Sequence, residues 1–183
     1  RGLGDVYKRQ ERKYYHSMLG YNYRMTEMQA AIGLVQFSKL DSYLEKRREN
    51  AAYLTEHLKE FTLIKPPLVK PYVTHSYYKY ICKIDKDEFK LPIEEFVKAV
   101  SAEGIPISRR YPIPIHLQPV FTEKKGYGNV HCPFACPLYG IQRDYKKGLC
   151  PNAEKLSDEL FTLLVHPTVN QEDLDDIILA IEK

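Results

Sequence analysis

No stretch of this 183-residue chain reaches the ~18 consecutive apolar residues that a membrane-spanning helix needs. No basic start followed by an apolar core marks an export signal either, so the expectation is a cytoplasmic protein. The motifs that announce a complete catalytic centre are equally missing. There is no glycine-rich phosphate loop, no His-Glu-x-x-His and no Gly-x-Ser-x-Gly. Internal repeats and low-complexity tracts are absent as well. The four cysteines, Cys82, Cys132, Cys136 and Cys150, do not read as a disulfide framework without an export signal. His131-Cys132-x3-Cys136-x13-Cys150 offers enough soft ligands for zinc, but tight C-x2-C pairs are lacking and a proline follows Cys132, Cys136 and Cys150. The segment therefore reads as a proline-rich loop with small, partly buried thiols, and no metal is assigned.

What is present is ordinary for a globular protein: 44% hydrophobic and 28% charged residues, with a net charge of +3. The length suits one domain, or a domain plus a piece of another. Part of the charge is set apart from the rest. Asp5 to Gln10 back-translates to GAT GTG TAT AAG AGA CAG, which resembles a transposon end used in sequencing libraries, so residues 1–10 read as an adapter translation. They carry three positive charges and one negative, which leaves +1 on residues 11–183. A nucleic-acid partner is not supported by so small a charge.

Thr26 and Gln29 form a capping-box pattern that opens a helix. From there Met25, Met28, Ile32, Val35, Leu40, Leu44, Ala51, Leu54 and Leu58 make one apolar stripe at mostly three- and four-residue steps. No proline interrupts it before Pro66. A helix so far beyond the ~11-residue mean runs as two segments or bridges two domains. Ser76 to Ile84 is aromatic and β-branched and predicts a strand. Pro92 opens a helix with Ile93, Phe96, Val97 and Val100 facing inward, and Gly104 closes it. Ile105–Ser108 predicts a short strand, residues 111–150 a long proline- and tyrosine-rich loop, and Pro151–Leu160 a helix. Leu163–His166 predicts an extended piece, His166 before Pro167 a structural turn, and Asn170 a cap on the last helix. The fold class expected is α+β: a long interdomain helix followed by a small-domain sheet with covering helices.

Several landmarks then occur in a fixed order. They begin with Gly20-x-Asn22-x-Arg24-Met25-x-Glu27-x-Gln29-Ala30-Ala31, followed by Gly33 and Gln36. Next come His75 ahead of the aromatic strand, Gly104, and Tyr111-Pro112-x-Pro114-x-His116. The set closes with Pro151-x-Ala153-Glu154-x-Leu156-Ser157 and Val165-His166-Pro167. This ordered set, over residues 14–183, resembles the DegT/StrS-type sugar aminotransferases, fold type I enzymes that use pyridoxal 5'-phosphate (PLP). By that resemblance residues 11–25 end a large PLP domain, residues 26–60 are the interdomain helix and residues 61–183 the C-terminal small domain.

The resemblance also implies chemistry. Asn22 would reach across a homodimer to the phosphate of the neighbouring subunit's PLP, although an asparagine after Gly-Tyr also suits a turn. Arg24 would anchor phosphate or a substrate carboxylate, or else pair with Glu27 at i+3. His116, His75 and Tyr77 are the substrate-binding candidates, His116 having the alternative of bonding loop backbone. Tyr21 and Tyr23 read as packing residues. The Schiff-base lysine, the aspartate facing the pyridine nitrogen and the Gly/Ser-rich phosphate segment of the family have no counterpart in these residues, so no catalytic residue is assigned. The chain taken alone is expected to be inactive. The complete enzyme would pass an amino group from glutamate or glutamine to a keto-sugar, nucleotide-linked, or to a cyclitol. Two alternatives stay open: a deoxysugar dehydratase of the same family, and a non-catalytic dimerisation or sugar-binding module.

Overall fold

The computed structural model describes residues 23–183 apart from 130, 135, 139 and 142. Asn22, Tyr21 and the adapter stretch 1–10 lie outside the described residues. The chain divides into two compact units, Arg1–Tyr43 and Leu44–Lys183.

The capping box is present as the sequence predicts. Thr26 Oγ1 accepts from the Gln29 N–H at 3.3 Å and Gln29 Oε1 accepts from the Thr26 N–H at 3.0 Å. These bonds satisfy two groups at a helix start that would otherwise lack partners. Helix α1 spans Glu27–Ser38 and helix α2 Leu40–Leu58, with the break at Lys39. The long helical pattern thus resolves into two segments. The halves of its apolar stripe differ. On α1, Met28, Ile32 and Val35 are exposed, whereas Ala51, Leu54 and Leu58 on α2 are fully buried. Tyr23, expected to pack, is 88% exposed.

The second unit is a four-stranded antiparallel sheet covered by helices. Strands β1 (Ile64–Lys65), β2 (Tyr80–Ile84), β3 (Ser108–Arg109) and β4 (Leu160–Leu163) lie in the order β1-β2-β4-β3. The register pairs Ile64 with Ile84, Cys82 with Phe161, and Arg109 with Phe161. Helix α3 covers Ile93–Ala102, a short α4 Pro119–Thr122, α5 Pro151–Ser157 and α6 Gln171–Glu182. Tyr80, Cys82 and Ile84 alternate into the core with Phe161 and Leu163. They meet Leu54 and Leu58 of α2, Ile93 and Val100 of α3, and Leu174 and Ile177 of α6. Each such apolar side chain contributes about 1.5–3 kcal/mol by leaving water. Burial pushes the Cys82 thiol well above its ordinary value, so it stays protonated. No disulfide joins the four cysteines.

The polar side chains that α2 brings to this core find partners. Tyr80 Oη and Thr55 Oγ1 are 2.8 Å apart, and the Thr55 hydroxyl also reaches the Ala51 carbonyl at 2.6 Å. Asn50, 1% exposed, donates Nδ2 to the carbonyls of His166 at 3.3 Å and Val169 at 3.1 Å. It thereby pins the Val165-His166-Pro167 turn to α2. The Asn50→Ala variant leaves both carbonyls without that donor, and it should cost about 1–3 kcal/mol in urea unfolding. Tyr53 Oη donates to Asp175 Oδ1 at 2.6 Å and ties α2 to α6, which holds the Asp175 carboxyl below its usual range.

Differences from the sequence expectation have local causes. The predicted strand from Ser76 begins only at Tyr80, because Tyr77 adopts φ +45° and turns the chain. β1 was not foreseen, since two residues ahead of Pro66-Pro67 carry no alternation. Helix α5 ends at Ser157, and the extended piece is Leu160–Leu163 rather than Leu163–His166. Asn170 caps α6 as expected, its Oδ1 accepting from the Asp173 N–H at 2.9 Å.

Candidate functional site

The residues singled out by the sequence fall into separate places. Arg24 stands two residues before the Thr26 N-cap, in non-helical backbone, and is exposed. Among the described residues it makes no ion pair with Glu27. The i+3 geometry needs both partners within the helix, and Arg24 lies outside it. Asn22 is outside the described residues.

His75 and Tyr77 come together in one turn. The Tyr77 N–H donates to His75 Nδ1 at 2.9 Å, and the two rings lie 4.4 Å apart. With Nδ1 accepting, a neutral His75 ring carries its proton on Nε2 and presents a donor away from the backbone. The Tyr77 φ of +45° is a left-handed conformation that side chains other than glycine adopt at a cost. It is fixed by the ring contact to Tyr80 at 6.1 Å and by Arg48, whose Nε donates to the His75 carbonyl at 3.1 Å. His75 is exposed and Tyr77 half-buried, so the turn offers one imidazole edge at the surface.

His116 is placed differently from a free substrate ligand. It sits in a 3₁₀ turn, Ile115–Leu117, whose entry Pro114 stiffens, and is 8% exposed. Its Nε2 lies 2.9 Å from Glu154 Oε1, so His116 donates there. The same carboxylate accepts from the Gly148 N–H at 2.8 and 2.9 Å and from the Cys150 N–H at 3.2 Å. Those backbone bonds, Gly148 first, hold the Glu154 carboxyl below its ordinary range despite partial desolvation, and His116 adds to the effect. The position of Glu154 in the first turn of α5 favours the anion further. The arrangement is a clip: one side chain joins the His116 turn, the 148–150 bend and α5. Glu154 entered the sequence reading only as a landmark. A carboxylate four residues after Cys150 and six after Gly148 was the available signal, but the pairing with His116 across 38 residues was not visible.

The other polar contacts brace the sheet. Arg109 meets Glu94 and reaches Asp158 Oδ1 at 3.2 Å and the Ser157 carbonyl at 2.8 Å. Arg110 Nε donates to Thr162 Oγ1 at 2.8 Å. Glu159, 2% exposed, lies 3.3 Å from Lys83 Nζ. Among the described residues no group of three His, Cys, Asp or Glu side chains is placed to hold a metal, and no helix is long and apolar enough to cross a membrane.

The fold is shared with proteins of known structure. An aminotransferase from Psychrobacter cryohalolentis superposes with a TM-score of 0.72 at 21% identity, over 97% of this chain and 44% of that one. The GDP-4-keto-6-deoxy-D-mannose-3-dehydratase of E. coli, solved with bound hydrated PLP, gives 0.63 at 21% identity, over 92% of this chain and 38% of that one. In sequence, residues 2–139 match the profile of the DegT/DnrJ/EryC1/StrS aminotransferase family, and the chain belongs to that family. A pleiotropic regulatory protein of Geobacillus stearothermophilus is 33% identical over 168 residues, 91% of this chain. A UDP-N-acetyl-3-dehydro-alpha-D-glucosamine 3-aminotransferase of Acidithiobacillus ferrooxidans is 29% identical over 171 residues, 93% of this chain. The chain spans 38% of the length of each of these two relatives.

Proposed function

We propose that the chain is the C-terminal portion of a PLP-dependent sugar aminotransferase. The complete protein would move an amino group from glutamate or glutamine onto a keto-sugar, nucleotide-linked, or onto a cyclitol. The observation that carries this reading is the family match over residues 2–139, which takes in the Asn22 motif and the His116 landmark. The relative from Acidithiobacillus ferrooxidans, named as a sugar 3-aminotransferase and aligned along 93% of the chain, supports the acceptor class.

The cofactor is pyridoxal 5'-phosphate, which supplies an electron sink for breaking bonds at the carbon bearing the amino group. The described residues do not by themselves fit that group. Every lysine among them is exposed or half-buried, whereas a lysine that bonds PLP is activated by desolvation or a neighbouring cation. Arg24 is exposed and no other cation joins it at the motif. These residues therefore serve to bind and position. Residues 11–25 end the large domain, 26–60 bridge, and 61–183 form the small domain. Asn22 donates its amide to the phosphate held by the partner subunit of a cytoplasmic homodimer. The 75–77 turn offers the His75 Nε2–H to a substrate oxygen, and the Glu154 clip holds the loop that follows His116. Residues 1–10 remain assigned to an adapter, although the family match begins at residue 2 and so does not separate them.

A second reading, a deoxysugar dehydratase, is favoured by the E. coli neighbour. Reading the gene upstream of residue 1 distinguishes the two. A lysine at the cofactor-bonding position supports amino transfer, and a histidine there supports dehydration. A start codon at the boundary with no such segment contradicts both.

A further inference from the structure

The cysteines take no part in the proposed function, and they differ in their surroundings. Cys82 is buried in the core and Cys150 is exposed, whereas Cys132 and Cys136 are both half-buried in the loop that follows His116. All four are free thiols. The Cys132 and Cys136 thiols hydrogen-bond to each other.

The backbone around the pair is tightly held. Tyr127 and Cys132 exchange backbone bonds at 2.8 and 2.9 Å, so a short hairpin fixes Cys132. The Phe134 N–H donates to the His131 carbonyl at 2.8 Å, which turns the chain between the two cysteines. Gly126 lies so close to this hairpin that a Cβ on it would stand 2.4 Å from the Cys132 carbonyl oxygen. Phe134, between the cysteines, meets Phe121 edge-on at 5.7 Å and Tyr145 edge-on at 6.1 Å, which anchors the turn. Phe121 belongs to α4, and Pro119 at its start lies two residues past the 3₁₀ turn that holds His116. A constraint on residues 132–136 is therefore passed through Phe134 to the segment beside His116.

Two thiols supply half of a tetrahedral zinc site, but among the described residues no third His, Cys, Asp or Glu joins them. A close pair of thiols with no further ligand is the reduced half of a dithiol–disulfide couple. Their mutual hydrogen bond raises the Cys132 thiol above its ordinary value, which slows exchange at neutral pH, while the proximity of the sulfurs mainly sets the equilibrium.

We propose that Cys132 and Cys136 are a reversible redox site: exchange with a low-molecular-weight disulfide, such as oxidised glutathione, joins them and stiffens the loop that follows His116. The thiolate of one cysteine attacks a sulfur of the small disulfide and expels one small thiolate. The other cysteine gives its proton to solvent, attacks the protein sulfur of the mixed disulfide and expels the second. The chain gives up two hydrogens, and the small disulfide is reduced to two thiols. In a reducing compartment such a bond is transient and regulatory rather than structural. The proposal does not depend on the aminotransferase reading.

The test equilibrates the 183-residue chain with mixtures of reduced and oxidised glutathione, blocks free thiols with N-ethylmaleimide and maps the peptides by mass spectrometry. One bridge per chain, between Cys132 and Cys136, should form and should open again with dithiothreitol, while Cys82 stays a thiol. The effective concentration of the pair, read from that equilibrium, should exceed its value in concentrated urea by about tenfold or more, because the fold and not the short spacing holds the sulfurs together. Cys132→Ser and Cys136→Ser should each stop at a mixed disulfide. Oxidation should also shift the ring resonances of Phe134 and Tyr145. Four results overturn the proposal: both thiols still blocked by maleimide in excess oxidised glutathione, a bridge that involves Cys150 instead, equal effective concentrations with and without urea, or ring resonances that oxidation leaves unmoved. The mapping and the urea comparison use the unsubstituted chain, so they decide the matter even where a serine variant fails to fold.

Discussion

Replacing Phe161 by alanine should lower the unfolding free energy of the Leu44–Lys183 unit by about 3–5 kcal/mol. Phe161 lies on β4, the strand hydrogen-bonded on one side to β2 and on the other to β3, and is fully buried. Its ring contacts Phe96 at 5.1 Å, and Phe96 in turn meets Phe89 edge-on at 5.9 Å. Truncation therefore removes one ring and leaves Phe96 facing a void. Backbone pairing to Cys82 and Arg109 holds the strand in place, so the void cannot readily close. Against the 5–15 kcal/mol that typical domains possess, such a loss removes a large fraction of the stability. Urea titration followed by far-ultraviolet circular dichroism measures it. Phe161→Leu keeps most of the apolar volume and should cost less. A loss below about 1 kcal/mol for the alanine variant would mean that the site collapses around the gap.

The second large effect is expected at Glu154, on the loop rather than on global stability. Its carboxyl is held below the usual range mainly by the Gly148 N–H, so the bonds to Gly148, Cys150 and His116 belong to the ionised form. A depressed carboxylate stabilises the fold above its ordinary unfolded value, and that contribution is lost as pH falls through the folded value. Amide exchange at Gly148 and Cys150, corrected for its intrinsic pH dependence, should thus stay slow from neutral pH down to the ordinary glutamate range and speed up below it. Glu154→Gln keeps the size of the side chain and removes the charge. It should accelerate exchange at both amides by about tenfold or more at neutral pH and erase the acid transition. Equal pH profiles for the two proteins would show that the clip does not depend on the charge.

How much of this was legible in the sequence depended on whether the relevant partners were near in the chain. Thr26 with Gln29 and Asn170 with its first turn are contacts over three residues, and both caps stand where the residue types put them. The apolar periodicity also identified α2 and α3 correctly, because helical spacing declares which face is buried. On α1 the same stripe is exposed. That outcome depends on what covers the helix, which periodicity does not encode. The strand from Ser76 was overextended because alternation says nothing of a left-handed turn at Tyr77. For the candidate site, sequence placed His75 and Tyr77 together, as their separation of two residues allows. It could not foresee that His116 would spend its Nε2 on Glu154, or that Asn50 would hold a turn more than a hundred residues away. Those pairings are products of topology.

The central claim, that these residues position substrate and cofactor while the lysine bonding PLP lies elsewhere, has a direct test. The 183-residue chain is incubated with PLP, reduced with borohydride and mapped by peptide mass spectrometry. The account predicts only scattered, substoichiometric labelling of surface lysines and no saturable absorbance of a bound cofactor. A single lysine among residues 23–183 labelled to one equivalent per chain, with a matching saturable absorbance band, would contradict it.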